Sequence, residues 1–83
     1  MYSVEFVPSA ARALAKLDRP IQLLIARRLD KLAVDPRIDD IKLQGTDDIW
    51  RVWIGDCRLL YRIEDERLVV LVIRIGHRRD VYR

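Results

Sequence analysis

Eighty-three residues, 51% hydrophobic and 35% charged, suffice for one small domain with a thin core. They argue against a second domain, a disordered tail or linker, or an enzyme built around a large cofactor fold. One cysteine, Cys57, and one histidine, His77, cannot form an internal disulfide or supply a four-ligand structural zinc site. The net charge of +3 is modest, but thirteen of the sixteen basic residues are arginine, whose planar fork suits bidentate phosphate binding. GC-rich codon usage would produce the same excess, so position has to decide. No apolar run nears the roughly 18 residues of a membrane span, and Met1 leads directly into alternating sequence without a basic and then hydrophobic leader, which reads as a cytoplasmic chain with no membrane partner.

In chain order, Tyr2, Val4 and Phe6 alternate with Ser3 and Glu5, the period-two pattern of a half-buried strand ending at Pro8. Ser9 is placed to cap a helix over residues 10–17, in which Ala10, Ala13, Leu14 and Leu17 share a face. Asp18 offers a second cap, Pro20 is tolerated in the first turn, and the next helix runs to Val34, where Asp35-Pro36 stops it. Ile21, Leu24, Ile25 and Leu32 form its buried stripe; Arg28 falls inside that stripe, with its stem packed and its head reaching water. Residues 35–48 lose periodicity and read as a loop. Three apolar segments follow, Ile49–Ile54, 57–63 and 68–75, separated by Gly55-Asp56 and an acidic turn, which is an antiparallel meander. The expected fold class is therefore α+β: an N-terminal strand and an antiparallel helix hairpin packed on a small, mainly antiparallel four-stranded sheet, with residues 1–83 as a single domain.

The Gly55-Asp56 loop suits a type II′ turn, and that turn dictates a register in which Ile54 opposes Cys57, Trp53 opposes Arg58 and Arg51 opposes Leu60. Arg51, Trp53, Arg58 and Arg62 then project from one sheet face. The other face carries Trp50, Val52, Ile54, Leu59, Tyr61 and Ile63, a fully apolar seat for the helices. Guanidinium groups around one indole on an open face suit a phosphate backbone and a base; a merely solvated sheet face is the plainer alternative. Trp53 either stacks on a base or ribose or packs against Leu60, the last strand or a partner. After the last strand, Gly76 releases the tail His77-Arg78-Arg79-Asp80-Val81-Tyr82-Arg83, whose His, Arg and Tyr side chains can all contact a phosphodiester, and Val81 and Tyr82 are apolar enough to pack back.

Several of these segments carry a resemblance when taken in order. They are the opening Tyr2-Ser3-Val4-Glu5-Phe6, the helix hairpin, Lys42-Leu43-Gln44-Gly45, Gly55-Asp56-Cys57-Arg58-Leu59-Leu60-Tyr61-Arg62-Ile63, and the ending Ile75-Gly76-His77-Arg78-Arg79-Asp80-Val81-Tyr82. Together they resemble the RelE/ParE superfamily of toxins from bacterial type II toxin-antitoxin systems, and within it the RelE branch of messenger-RNA interferases, a microbial ribonuclease-type fold. The resemblance covers nearly the whole chain and implies a ribosome-dependent endoribonuclease that cleaves messenger RNA in the A site and inhibits translation. It implies no metal or other cofactor. It also implies a cognate RelB-like antitoxin that wraps the toxin, and a toxin-antitoxin complex that is oligomeric on DNA through the antitoxin.

Matched position by position, the resemblance implies catalytic roles for Arg51, Arg58, Arg78 and Tyr82; Trp53 and Arg62 on the open face, Arg79 in the tail and Lys42 in the resembling segment are the candidate substrate contacts. Trp53 departs from the pattern, since some members place a second Lys there, and the chain ends at Arg83 where longer members continue into a helix. The implied reaction is attack of a ribose 2′-hydroxyl on the adjacent phosphate. It needs a base, stabilisation of the phosphorane charge and an acid for the leaving oxygen. Arginine fits only the second need, because it stays charged. His77 is the candidate base or acid, imidazole being the side chain suited to that work near neutral pH; a purely structural place at the strand end is the plainer alternative. Two further readings stay open: a ParE-like toxin that inhibits DNA gyrase without nuclease activity, and an inactive structural partner of an antitoxin.

Overall fold

The computed structural model describes residues 1–37, 41–42 and 49–77. A first strand, β1 (Ser3–Phe6), leads into α1 (Pro8–Ala15) and α2 (Arg19–Val34). Then come β2 (Ile41–Lys42), β3 (Ile49–Ile54), β4 (Cys57–Glu64) and β5 (Val69–His77). The strands form one sheet in the order β1-β5-β4-β3-β2, parallel only between β1 and β5. This is the expected α+β class, with one strand more than expected: β2 lies inside the segment read as loop. Two residues are too few to show a period-two pattern, and β2 exists through its backbone pairing with β3, Ile41 opposite Arg51 and Lys42 opposite Trp50.

The first helix begins earlier than the Ser9 cap implied. Val7 is still tied to the sheet, its N–H donating to the Val72 carbonyl at 3.0 Å, so Val7 itself becomes the residue before the helix and Pro8 takes its first position. That position suits proline, whose missing N–H would be unpaired there and whose φ is already helical. Asp18 precedes α2 with extended backbone, and its carbonyl, not its side chain, makes the first helical bond, from the Gln22 N–H at 3.0 Å. Gln22 also joins the two helices, its Nε2 donating to the Leu14 carbonyl at 2.9 Å. In α2 the buried residues are Ile25, Leu29 and Leu32, whereas Leu24 is exposed and Ile21 and Arg28 are half-buried. The stripe is thus shifted by one position relative to the expectation, since residues at 25, 29 and 32 line one face as well as 21, 25 and 32 do.

Both helices lie on the same face of the sheet. Tyr61, Leu59, Val70 and Val72 beneath them, with Ile25 and Leu32 above, are all but completely excluded from water. β5 is an interior strand, flanked by β1 and β4, and its Val-Val-Leu-Val-Ile run suits a strand paired on both sides. The β3–β4 turn has φ of +58° at Gly55 and no positive φ at Asp56, as a type II′ turn requires. The register it sets pairs Ile54 with Cys57, Trp53 with Arg58 and Arg51 with Leu60, as expected.

Candidate functional site

The sheet face opposite the helices is built chiefly by β3, β4 and β5. Residues paired across an antiparallel ladder share a face, so Arg51 and Trp53 of β3 stand there with Arg58, Leu60 and Arg62 of β4. Arg51, Arg58 and Leu60 are half-buried and Arg62 is exposed. Trp53 leaves 40% of its surface in water, unusually much for an indole without a functional reason to be there. The helix-side set of Val52, Ile54, Leu59, Tyr61 and Ile63 is buried, with Trp50 half-buried at its margin. The alternation that separates a basic face from an apolar one therefore holds along β3 and β4.

It does not hold along β5. Tyr61 is opposite Val72, but Leu60 is opposite Arg74, so Ile73 has no partner of its own and the strand is bulged there. Past the bulge every side chain changes face relative to simple alternation. Arg74, which sequence reading assigned no role, joins Leu60 on the open face, and Gly76 joins Arg58. Ile75 turns inward opposite Leu59 and is buried. His77 stands opposite Cys57, on the alternation of the helix-bearing side, and not with Arg58. One signal for Arg74 was present in the sequence: it is the only arginine in the most apolar strand.

Lys42 occupies the register position opposite Trp50. Arg78, Arg79 and Tyr82 lie outside the described residues. The structure thus brings together Arg51, Trp53, Arg58 and Arg62, adds Arg74, and takes His77 off that face.

Electrostatics separates these arginines from Arg37 and Arg67. At the far end of the sheet Arg37 makes a two-pronged pair with Asp65, at 3.2 and 2.8 Å. It also lies 5.8 Å from the Trp50 ring centroid. Tyr2 donates its hydroxyl to the same carboxylate at 2.5 Å. The hydrogen bond from Arg37, and then that from Tyr2, hold the Asp65 carboxyl below its ordinary pKa, while the bond to Asp65 raises that of the Tyr2 phenol. Arg67 donates to Glu64 at 2.6 Å and sits 3.4 Å from Glu5. By contrast, Arg51, Arg58, Arg62 and Arg74 form no ion pair with any described residue. Four cations on one open surface, with no carboxylate partner among the described residues, repel one another and attract an anion with repeated charge. Beside them Cys57 is buried, and burial, followed by the neighbouring Asp56 charge, pushes its thiol pKa up, which makes it a packing residue and a poor nucleophile.

The matching relatives share this architecture. Toxin RelG of Mycobacterium tuberculosis is 37% identical over 87 residues, covering 99% of this chain and 97% of that protein. The mRNA interferase toxin RelE of Escherichia coli K12 is 31% identical over 85 residues, covering 98% and 90%. Among solved structures, the intact E. coli RelBE toxin-antitoxin complex contains a chain that superposes with a TM-score of 0.85 at 29% identity, covering 93% of this chain and 96% of that one. The family model for the ParE toxin of type II toxin-antitoxin systems matches residues 4–82. With the α/β order, the mixed sheet and the open arginine face all in place, the chain belongs to the ParE toxin family of type II toxin-antitoxin systems.

Proposed function

We propose that this toxin is a messenger-RNA interferase: a ribosome-dependent endoribonuclease that cuts message in the A site and so stops translation. The observation that carries this reading is the open face on which Arg51, Arg58 and Arg62 stand beside an exposed Trp53, without a carboxylate partner among the described residues. The relative named as an mRNA interferase supports it at 31% identity over 98% of this chain. A toxin acting on gyrase without cutting nucleic acid has no comparable need for unpaired guanidinium groups around an indole.

In the proposed reaction the 2′-hydroxyl attacks the adjacent phosphorus, and the departing 5′-oxygen takes a proton, leaving a cyclic phosphate and a 5′-hydroxyl. Arg51 and Arg58 stand on neighbouring strands and stabilise the negative charge that grows on the non-bridging oxygens. They do so with planar forks of donors that match the phosphate oxygens. Arg78 adds a third cation by resemblance. Proton transfer falls to Tyr82 in this scheme, because His77 has the alternation of Cys57; guanidinium groups near a phenol favour its ionised form. Trp53 stacks on a base or ribose next to the cut.

The partner is a RelB-like antitoxin, as in the E. coli RelBE complex that this fold matches. An acidic amphipathic segment of that antitoxin would cover Leu60 and Leu71, half-buried on the open face, while its carboxylates neutralise the arginines and block phosphate access. The complex oligomerises on DNA through the antitoxin, and the free toxin works in the cytoplasm, where ribosomes are. Primer extension on translated and untranslated message after induction tests the reading. Cuts confined to translated message are expected, with Arg58→Ala lowering the rate by about 10²–10³. Intact message together with inhibited gyrase supercoiling by the pure protein would overturn it.

A further inference from the structure

Arg74 lies in β5, an interior strand of the sheet and its most apolar one, where a charged residue needs a reason. Val70 and Val72 are fully buried, and continuing their alternation would bury residue 74 with them. The unpaired Ile73 prevents this and turns Arg74 to the open face, opposite Leu60. Leu60 is flanked laterally by Arg51 on β3 and Arg74 on β5, and along β4 by Arg58 and Arg62, two residues to either side. Strand spacing near 4.8 Å and a rise near 3.4 Å per residue make this a cross about 10 Å by about 14 Å between Cα atoms.

None of the four guanidinium groups pairs with a described carboxylate. Bulges of this kind re-aim a side chain at functional sites. Arg74 also borders an open groove of about 390 Å³ with Ser9, Ala10, Ile73 and Ile75, where β5 runs on beyond the last residue of β1 that pairs with it, Phe6 opposite Val72. A strand of nucleic acid crossing from Arg51 over Leu60 would meet Arg74 next and leave the sheet along this groove.

We propose that Arg74 is a positioning residue that binds an RNA phosphate next to the one held by Arg51 and Arg58, and that the β5 bulge exists to present it. The proposal rests on the nuclease reading above for its substrate class, and its test is separable from that reading. The probe is a fluorescent single-stranded RNA oligonucleotide with 2′-O-methyl groups throughout, which keeps every phosphate and cannot be cut by 2′-hydroxyl attack. Its binding to the full-length protein is followed by anisotropy over a range of salt concentrations.

Arg74→Ala should weaken binding several-fold at low salt and reduce the slope of log K against log salt by about 0.7, one phosphate contact. Arg74→Lys should keep the slope. Arg27→Ala, which removes the same charge from the exposed side of α2, should leave the slope as in wild type. On translated message Arg74→Ala should raise KM and spare kcat, with an unchanged melting temperature because the side chain is exposed. An unchanged slope in Arg74→Ala, an equal change in Arg27→Ala, or no wild-type binding at low salt overturns the proposal. So does a slope change seen with an acidic peptide and not with RNA, which would assign the cation to a protein partner. A wild-type protein that binds RNA through Arg74 but cuts no message overturns the cleavage reading alone.

Discussion

Leu68 holds φ at +52°, the single positive value outside glycine among the described residues. It closes the β4–β5 turn, where its N–H donates to the Asp65 carbonyl at 3.2 Å and its own carbonyl accepts the Ser3 N–H at 2.7 Å. A side chain in the left-handed region costs about 1–2 kcal/mol, and Leu68 recovers little of it by packing, since half its surface is in water. Leu68→Gly relieves that strain at the expense of a more flexible unfolded chain. The net expectation is a stabilisation of about 0.5–1 kcal/mol, read as a higher urea midpoint at unchanged slope. Nothing local marks this position: the sequence there shows an acidic turn with no glycine, and Leu68 is left as the last residue of a four-residue hairpin loop between the paired Glu64 and Val69. Arg51, Trp53, Arg58 and Arg62, by contrast, were legible as a set, because each lies an even number of residues, two or four, or one tight turn from the next.

Among the elements, the contrast lies between the two hairpins. The β3–β4 register follows from two residues, Gly55 and Asp56, because a two-residue loop with positive φ at its first position leaves one way to pair the strands. The β4–β5 hairpin has a longer loop and a bulge, and alternation counted along β5 misassigns everything after Ile73. Leu71 is unaffected, whereas Arg74 and His77 exchange faces. His77→Ala is therefore expected to retain cleavage within about tenfold of wild type, well short of the roughly 10²–10⁴ that loss of a general acid or base would bring. Single-turnover cleavage of ribosome-bound message measures this, and a drop of about a hundredfold or more would return His77 to the mechanism.

Over the whole molecule, charge is sorted between the two ends of the sheet. Arg37, Asp65 and Tyr2 join the start of the chain, the segment after α2 and the β4–β5 turn. The Tyr61 hydroxyl donates to the Pro36 carbonyl at 2.8 Å beneath them. This clasp has a defined pH dependence. The Asp65 pKa is lowered on folding, so its contribution is complete above the unfolded carboxyl value of about 3.9 and is lost as pH falls through the folded value. The Tyr2 pKa is raised, so its contribution holds below about 10 and is lost as pH rises further. Wild type should melt above Asp65→Asn at pH 7, and the gap should close as the pH is taken below about 3.9. A gap that persists unchanged in acid would show that Asp65 acts by something other than its charge. The arginine face has no carboxylate partner among the described residues, and a bound anion would relieve its repulsion.

The sequence by itself determined the element order, the apolar seat for the helices, the β3–β4 register and the arginine-tryptophan face. These depend on short-range rules: period-two and period-three-to-four spacing, proline and glycine geometry, and a two-residue turn. Only the tertiary structure decided the two-residue strand β2, the clasp of Tyr2, Arg37 and Asp65, and which residues of β5 look outward. Those depend on partners distant in the chain. A bulge in particular is a property of two strands together: whether Ile73 is paired or skipped depends on the ladder to β4, and that one unpaired residue brings Arg74 to the open arginine face and gives His77 the alternation of the helix-bearing side.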